Sequence, residues 1–440
     1  MLVLRGVRAA PRSSVPRLAR SLLAPGYDRY VEYVGTGRAD ARLPSHRGET
    51  FDAVIVGAGF AMFGSPEGPW NMSRRAELKL GPRLKVHAVI DPDAERAKRA
   101  LAEKCSTFAA STYESTVVLP SLAAYADKVR AGTAPSPKAI FVACPPQFRG
   151  GVAKSNDLEL EINKYFPDTN FFVEKPVATG IPWQTSVDGA KEVGRVLSAK
   201  AHGVVSVGYC LRYLTAVQKM KQLIAEQGLH VMATMGRYIM TYELAVKQEW
   251  WRNSGCQGPI IENGTHIADL SRYFGGDVDL ASLSTYHVEA DERPGQLSKT
   301  NFDDAAIPLE DKIPRVTSTN WKYKSGAVGS ILHGTMLQDG DYAIELAVYA
   351  DGYQLILQDP YGVPSLSVRA PGQPNPEVIP TPGDDPYTTE ISNFIDAIEG
   401  GPNPEILSTF EDAAKTYEFT WAIRNAGEAV TRKRRSRAVG

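Results

Sequence analysis

Residues 52–59 read DAVIVGAG, a short apolar, partly β-branched run that stops abruptly at Gly57 and Gly59. A strand covered on both faces in a parallel sheet needs a continuous apolar run of this kind, and the glycines let it turn sharply into a helix. Gly57 permits the turn, while Gly59, followed by Phe60 and Ala61, lets backbone approach an anionic group at the start of that helix. The third small residue of the usual Gly-x-Gly-x-x-Gly/Ala pattern is replaced by Met62, with Ala61 and Gly64 close by. A glycine pair alone suits a purely structural turn as well as it suits a dinucleotide pyrophosphate.

The neighbouring segments favour the dinucleotide. LKVHAVIDP, residues 84–92, is a second strand-like run ending in Asp91. An acid at that tip hydrogen-bonds the adenine ribose, and a 2'-phosphate there would meet a like charge, which favours NAD over NADP. Asp91 also reads as the N-cap of a helix over residues 94–104. Residues 64–83, rich in Gly and Pro, read as an insertion lengthening the first crossover. Two further runs end in Cys144-Pro145-Pro146 and in Glu174-Lys175-Pro176. Strand and helix alternate throughout, so the expected architecture is α/β, a doubly wound parallel sheet. Gly57, Asp91, Pro145 and Glu174 all fall at carboxyl ends of its strands, where such sheets hold ligands.

Chemistry concentrates at two places. In Glu174-Lys175-Pro176 the proline restrains the preceding residue and fixes how Lys175 leaves the strand. Its ammonium can polarise a carbonyl or stabilise an alkoxide, and Glu174 can meet the nicotinamide end of a cofactor; a salt bridge at a strand end is the plainer alternative. GPIIENGTHIADLSRYFGG, residues 258–276, reads as one glycine-closed helix with Glu262, His266, Asp269 and Tyr273 on a common face. An imidazole exchanges protons near neutrality, and Glu262 could orient it or bind hydroxyls. A capped, partly buried histidine is the alternative. From Thr179 the pattern turns to alternating segments such as 231–238, 328–332 and 342–349, the signature of a second sheet. Near their ends Tyr209, Arg212, Trp251 and Arg252 could line a pocket for a sugar-like ligand, although each taken singly also reads as packing.

These residues resemble the glucose-fructose oxidoreductase, inositol dehydrogenase and MocA (Gfo/Idh/MocA) family over about residues 51–430. The resemblance rests on the GAG at Gly57, VIDPD at Val89, CPP at Cys144, EKP at Glu174, GYCLRY at Gly208, WWR at Trp250, the ENGTHIAD segment and the closing ISNFIDAI helix at Ile391. It implies a Rossmann domain over 51–178, then an α+β domain over 179–430 with a large, mostly antiparallel sheet for substrate binding and oligomerisation. It implies Lys175 and His266 as the catalytic pair, with Glu262 as acidic partner. The implied function is an NAD-dependent dehydrogenase or reductase acting on a CH–OH group of a sugar, polyol or related small molecule, and a homo-oligomer. Glu262 departs from the family's usual Asp, and Gln147 and Phe148 from its usual polar turn. A glycoside hydrolase using NAD transiently and a non-catalytic NAD-binding regulator are the competing readings.

Bulk composition narrows the field further. The chain has 440 residues, 43% hydrophobic and 22% charged, with a net charge of -1, so nothing drives it toward nucleic acid or an anionic membrane surface. No run approaches the ~18 apolar residues of a membrane span. Cys105, Cys144, Cys210 and Cys256 lie far apart with no ligand spacing, so no metal site or disulfide framework is expected. A cytoplasmic protein is expected; the leader, residues 1–50, with Arg5, Arg8, Arg12, Arg17 and Arg20 and no acid before Asp28, has a transit-peptide composition that would instead direct it to the mitochondrial matrix, although Pro11 and Pro16 interrupt the helix such a signal needs. Residues 431–440 read as a solvated basic tail.

Overall fold

The computed structural model describes residues 46–64, 70–243, 245, 248–256, 258–338, 342–402 and 404–439. Residues 1–45, which hold the leader's arginines Arg5 to Arg20 and any targeting role, lie outside them.

The first sheet contains β1 (Phe51–Val56), β2 (Leu84–Ile90), β3 (Val117–Leu119), β4 (Ala139–Val142), β5 (Asn170–Val173) and β6 (Val205–Val207). Their order is β3-β2-β1-β4-β5-β6 and every pair is parallel. This is the doubly wound arrangement expected, with the order reversing between β1 and β4 to leave a crevice beyond their carboxyl ends. Every residue of β4 is buried, as helices on both faces require. The sheet continues past residue 178, because α4 (Trp183–Ser198) is itself a crossover that carries the chain to β6.

The 64–83 segment is more than an insertion. It carries α2 (Met72–Leu80), which follows the single-turn helix α1 (Phe60–Phe63) and buries most of its residues, charged ones included. Met62, the unexpected third position, is fully buried in the apolar core of this domain. A small residue is unnecessary there, since α1 ends at once and the chain turns away at Gly64, φ 100°.

The second sheet runs β14-β13-β12-β11-β7-β10-β9-β8. It is antiparallel except for β7 (Val231–Thr241) beside β10 (Val328–Leu337). The remaining strands are β8 (Val278–Val288), β9 (Val316–Tyr323), β11 (Ala343–Ala350), β12 (Tyr353–Gln358), β13 (Ser365–Arg369) and β14 (Glu377–Pro380). Burial alternates along β9, the mark of a sheet with one covered and one open face. Its covered face meets α6 (Thr265–Gly275) and α8 (Phe410–Val439), while α5 (Thr215–Glu226) packs on β12 and β13. On the open face Met235, Val328 and Leu332 are exposed. The basic stretch expected as a tail continues α8 as far as Val439. Arg434 and Arg435 pair there with Glu292 and Asp291 at 2.9 and 2.8 Å, which anchors the stretch against the chain after β8.

One helix joins the two halves. In α7 (Pro386–Glu399), Phe394 meets Phe141 of β4 and Phe172 of β5 edge-on, both at 5.8 Å between centroids. Ion pairs reinforce the contact: Lys79 with Asp396 at 2.8 Å, Arg75 with Asp385 at 3.2 Å and Arg83 with Glu399 at 2.6 Å.

Candidate active site

The cofactor loop is built as its glycines require. Gly57 has φ +98°, and a Cβ there would lie 2.5 Å from Cys144 N at the end of β4, so only glycine fits. A Cβ on Gly59 would meet nothing within 4 Å, so its backbone faces open space. Those features, at the reversal point of a parallel sheet, fit a dinucleotide pyrophosphate.

Asp91 is buried at the tip of β2. Its carboxylate accepts the Ala58 N–H at 2.7 Å, the Asp93 N–H at 2.8 Å and a hydrogen bond from Arg96 at 2.6 Å. Burial pushes this carboxyl up, but Arg96 and the two backbone donors outweigh it and hold the group below its ordinary range. Asp91 thus braces the glycine loop and keeps lone pairs for a ribose hydroxyl. It does not cap the next helix: in α3 (Ala94–Cys105) the N-cap is Asp93, whose side chain accepts the Arg96 N–H. Arg96, absent from the expectations, places a cation beside Asp91.

Beyond β4, Pro145 opens a single 3-10 turn that leads to Arg149. Arg149 is almost fully buried and donates to the carbonyls of Cys144 at 3.0 Å, Pro176 at 2.7 Å and Val177 at 3.0 Å. It ties the ends of β4 and β5 together behind Lys175, a positioning role that the sequence did not reveal. The Lys175–Pro176 peptide bond is cis. Burial raises the Glu174 carboxyl above its ordinary range, against the pull of Lys175 and Arg149.

Lys175 reaches out of the first domain. Its Nζ donates to the Glu262 carbonyl at 2.8 Å and lies 3.4 Å from Glu262 Oε1. Glu262 is not on the helix of His266 as the periodicity suggested: it ends a short turn, Pro259–Glu262, and α6 starts afresh at Thr265 after Asn263 and Gly264. The break lets the Glu262 carbonyl face Lys175 instead of bonding along a helix. His266, in the first turn of α6, is buried, and burial together with the Lys175 charge pushes its pKa well below the ordinary value of 6.5. Its Nδ1 has no hydrogen-bond partner among the described residues. Lys175, Glu262 and His266 therefore share one electrostatic neighbourhood.

The expected pocket-lining residues divide. Tyr209 is at hand: its hydroxyl is 2.8 Å from Thr265 Oγ1 and its ring meets His266 edge-on at 6.2 Å. Arg212 is not a substrate ligand, because its guanidinium is buried and committed to Asp269 at 2.6 and 2.7 Å, to Asp412 at 2.5 Å and to the Leu407 carbonyl at 2.6 Å. Asp269 thus turns toward Arg212, and burial raises its carboxyl above the ordinary range despite that partner. Trp251 fills a separate small core with Ile307 and Ile313 and donates its indole N–H to the Ala245 carbonyl at 2.9 Å. Arg252 pairs with Asp311 at 3.2 Å. The tryptophans of WWR, carried on a 3-10 turn over Gln248–Trp251, therefore pack this smaller core. Around His266 stand instead Tyr361 and, behind it, Tyr238, Tyr387 and His333, none of which a local motif announces.

A doubly wound parallel sheet with a glycine turn at its reversal point, an acid at the tip of β2 and a lysine just past β5 marks a dinucleotide-dependent oxidoreductase. The chain belongs to the Gfo/Idh/MocA family: residues 51–209 match the oxidoreductase family with an NAD-binding Rossmann fold, and residues 212–353 the oxidoreductase C-terminal domain. Two Schizosaccharomyces pombe relatives, the uncharacterized proteins UNK4.17 and C12C2.04, are 42% and 40% identical. Each alignment covers 87% of this chain, with 93% and 98% of the respective relative. Among solved structures, levoglucosan dehydrogenase with NADH and levoglucosan is similar at TM-score 0.63 and 16% identity, over 87% of this chain and 98% of that one. UDP-N-acetylglucosamine 3-dehydrogenase of Acidithiobacillus ferrooxidans is similar at TM-score 0.59 and 14% identity, over 86% and 98%. At such identities these two likenesses establish the shared fold. Among the described residues no helix is long and apolar enough to cross a membrane, and no group of His, Cys, Asp or Glu could hold a metal ion.

Proposed function

We propose that this NAD-binding oxidoreductase interconverts a secondary alcohol and a ketone on a sugar, polyol or related small molecule. The observation that carries the reading is the contact of Lys175, just beyond the carboxyl end of β5, with Glu262, and the influence of the Lys175 charge on the buried His266. When bound, the nicotinamide supplies the hydride acceptor or donor. His266, held neutral by burial, takes the hydroxyl proton as the C–O bond becomes C=O, and returns it in reduction. Lys175 meets the negative charge gathering on that oxygen. Glu262 keeps the ammonium in place through its carbonyl and offers its carboxylate to a neighbouring hydroxyl. Glu174 supports the Lys175 backbone, whose N–H it accepts at 3.2 Å. The dehydrogenases named above give support as fold relatives that act on sugars.

The test is a 340 nm assay with NAD and a panel of polyols and sugars, repeated with Lys175→Ala and His266→Ala. Loss of turnover with retained NADH binding supports the roles; unchanged turnover in either variant refutes them. We further infer self-association through the open sheet face bearing Met235, Val328 and Leu332, as apolar patches there would otherwise face water. Light scattering on the wild type and on Met235→Lys/Leu332→Lys tests this, a monomeric wild type being the contrary result.

A further inference from the structure

Helix α7 carries a carboxyl that the reaction proposed above leaves unused. Glu390 is only 3% exposed, and its buried Oε1 has no hydrogen-bond partner among the described residues. Asn393, three residues on and therefore on the same helix face, is fully buried with neither Oδ1 nor Nδ2 partnered among them. The helix packs on α2 and on the 3-10 turn Cys210–Tyr213. Gly208, two residues before that turn, stands so close to Glu174 that a Cβ on it would lie 3.1 Å from Glu174 Oε2. The Glu174 carboxyl at the end of β5 thus lies against the chain that enters this turn, and its charge is felt at Glu390.

Among the described residues no cation answers Glu390. On α2, Arg75 is engaged by Asp385, Lys79 by Asp396, and Glu77 by Lys104. On the turn, Arg212 is held by Asp269 and Asp412, while burial keeps Cys210 and Tyr213 protonated. Tyr387, on α7 itself, is likewise kept protonated. Beyond β5, Lys175 is engaged by Glu262. The charges that reach Glu390 are therefore those of two acids, Glu174 and Asp269, and burial first and then these acids push its carboxyl well above the ordinary range. A bare carboxylate is too costly to bury in such a place, so Glu390 carries a proton in the fold. It therefore weakens the fold at neutral pH, where the unfolded chain ionises it, and a buried group that does so without a partner points to use.

Building on the functional reading above, we propose that Glu174 and Glu390 share one proton in the free protein, and that the pair gives this proton to solvent when NAD binds and keeps it when NADH binds. If Lys175 meets the reacting oxygen, the ring that exchanges hydride lies close to Lys175 and to the adjoining Glu174. That ring is positively charged when oxidised and neutral when reduced, so only the oxidised form lowers the proton affinity of the two carboxyls. The carboxyl O–H bond breaks with its electron pair left on oxygen, the proton passes to the buffer, and nothing is oxidised or reduced at the pair. The unspent amide of Asn393 is at hand on the same helix face as the new carboxylate. By linkage, NAD affinity then rises with pH while NADH affinity does not.

The experiment is binding calorimetry of NAD and of NADH to the full-length protein near neutral pH, in buffers of different ionisation enthalpy, on wild type, Glu390→Gln, Glu174→Gln and His266→Gln. Expected is release of about half a proton or more per NAD bound and none per NADH. Glu390→Gln and Glu174→Gln should abolish the release, and His266→Gln should retain it. Urea unfolding of the protein without cofactor reads the proton separately. The stability of Glu390→Gln relative to wild type should grow as pH rises above 4.5, the ordinary value for the carboxyl, with the ratio of unfolding constants widening up to about tenfold per pH unit. No release from wild type, equal release with NADH, release that survives Glu390→Gln, or an unfolding ratio that ignores pH overturns the proposal. Turnover that vanishes in Lys175→Ala and His266→Ala, without proton release on NAD binding, would sink this inference and leave the functional reading standing; release abolished by Glu390→Gln, with turnover indifferent to those two variants, would do the reverse.

Discussion

Lys175 Nζ donates a 2.8 Å hydrogen bond to the carbonyl oxygen of Glu262, a residue 87 positions further along the chain and in the other domain. The contact that aims the ammonium is thus to backbone, with the carboxylate 3.4 Å away as a second partner. Glu262→Gln keeps the first contact and removes the charge, so it should lower kcat less than Lys175→Ala, whose loss is expected at roughly 10²- to 10⁴-fold. Steady-state kinetics on both variants checks this; equal losses would assign the carboxylate a direct chemical role.

Arg212 makes a different prediction. Its pairing with Asp269 and Asp412 is buried, and removing one partner of such a network strands the others. Arg212→Ala should cost about 3–5 kcal/mol in stability. Whatever protein remains folded should bind substrate with little change in KM. Urea denaturation and KM at low temperature separate this from a substrate-binding role, in which KM would rise while stability held.

Stability should depend on pH through His333. Burial lowers its pKa from 6.5 to about 4, so above pH ~6.5 the folded and unfolded chains are both neutral at this residue and nothing is lost. As pH falls from about 6.5 toward about 4 the unfolded chain takes up a proton that the folded one refuses, and up to about 3 kcal/mol of stability goes. His266 is shifted in the same direction and adds to the slope. His333→Phe should flatten the stability curve over that interval; an unchanged slope in urea unfolding would rule the group out.

For the same reason, oxidation of the alcohol should not follow a proton dissociation near 6.5. With the His266 pKa held low by burial and by Lys175, kcat/KM should stay level as pH falls through 6.5 and decline only at more acidic values. A pH profile with a limb near 6.5 that disappears in His266→Gln would mean an imidazole open to solvent.

Arg96 bears on cofactor choice. It sits 2.6 Å from Asp91 and softens the repulsion that this acid would exert on a 2'-phosphate. Arg96→Ala should therefore weaken NADP more than NAD and widen the preference for NAD by roughly tenfold. NADH and NADPH binding titrations measure it; a ratio that stays the same places the guanidinium away from the adenosine end.

How much of this was readable beforehand followed from the range of each interaction. The parallel strands were legible because burial on both faces writes a continuous apolar run, and Gly57 because its turn is local. Lys175, Glu262 and His266 could be singled out by residue type and by family resemblance. The helix expected through 258–276 broke at Asn263 and Gly264 because periodicity records which side is apolar and not where the backbone changes direction. Arg212 was misread because its partner Asp412 lies 200 residues away, beyond any local pattern. Tyr361 and Tyr387 gave no signal at all, since one sits in the turn after β12 and the other in the first turn of α7, and they meet only when the second sheet is assembled.

The packing of Phe394 against Phe141 and Phe172 carries a final implication. The nucleotide half of this protein is finished by a helix that is made long after its own strands. A fragment cut after residue 209 or 353 would leave those two phenylalanines facing water and Lys79 without Asp396. Grafting the front half onto another enzyme as a portable cofactor module should therefore fail unless Pro386–Glu399 travels with it.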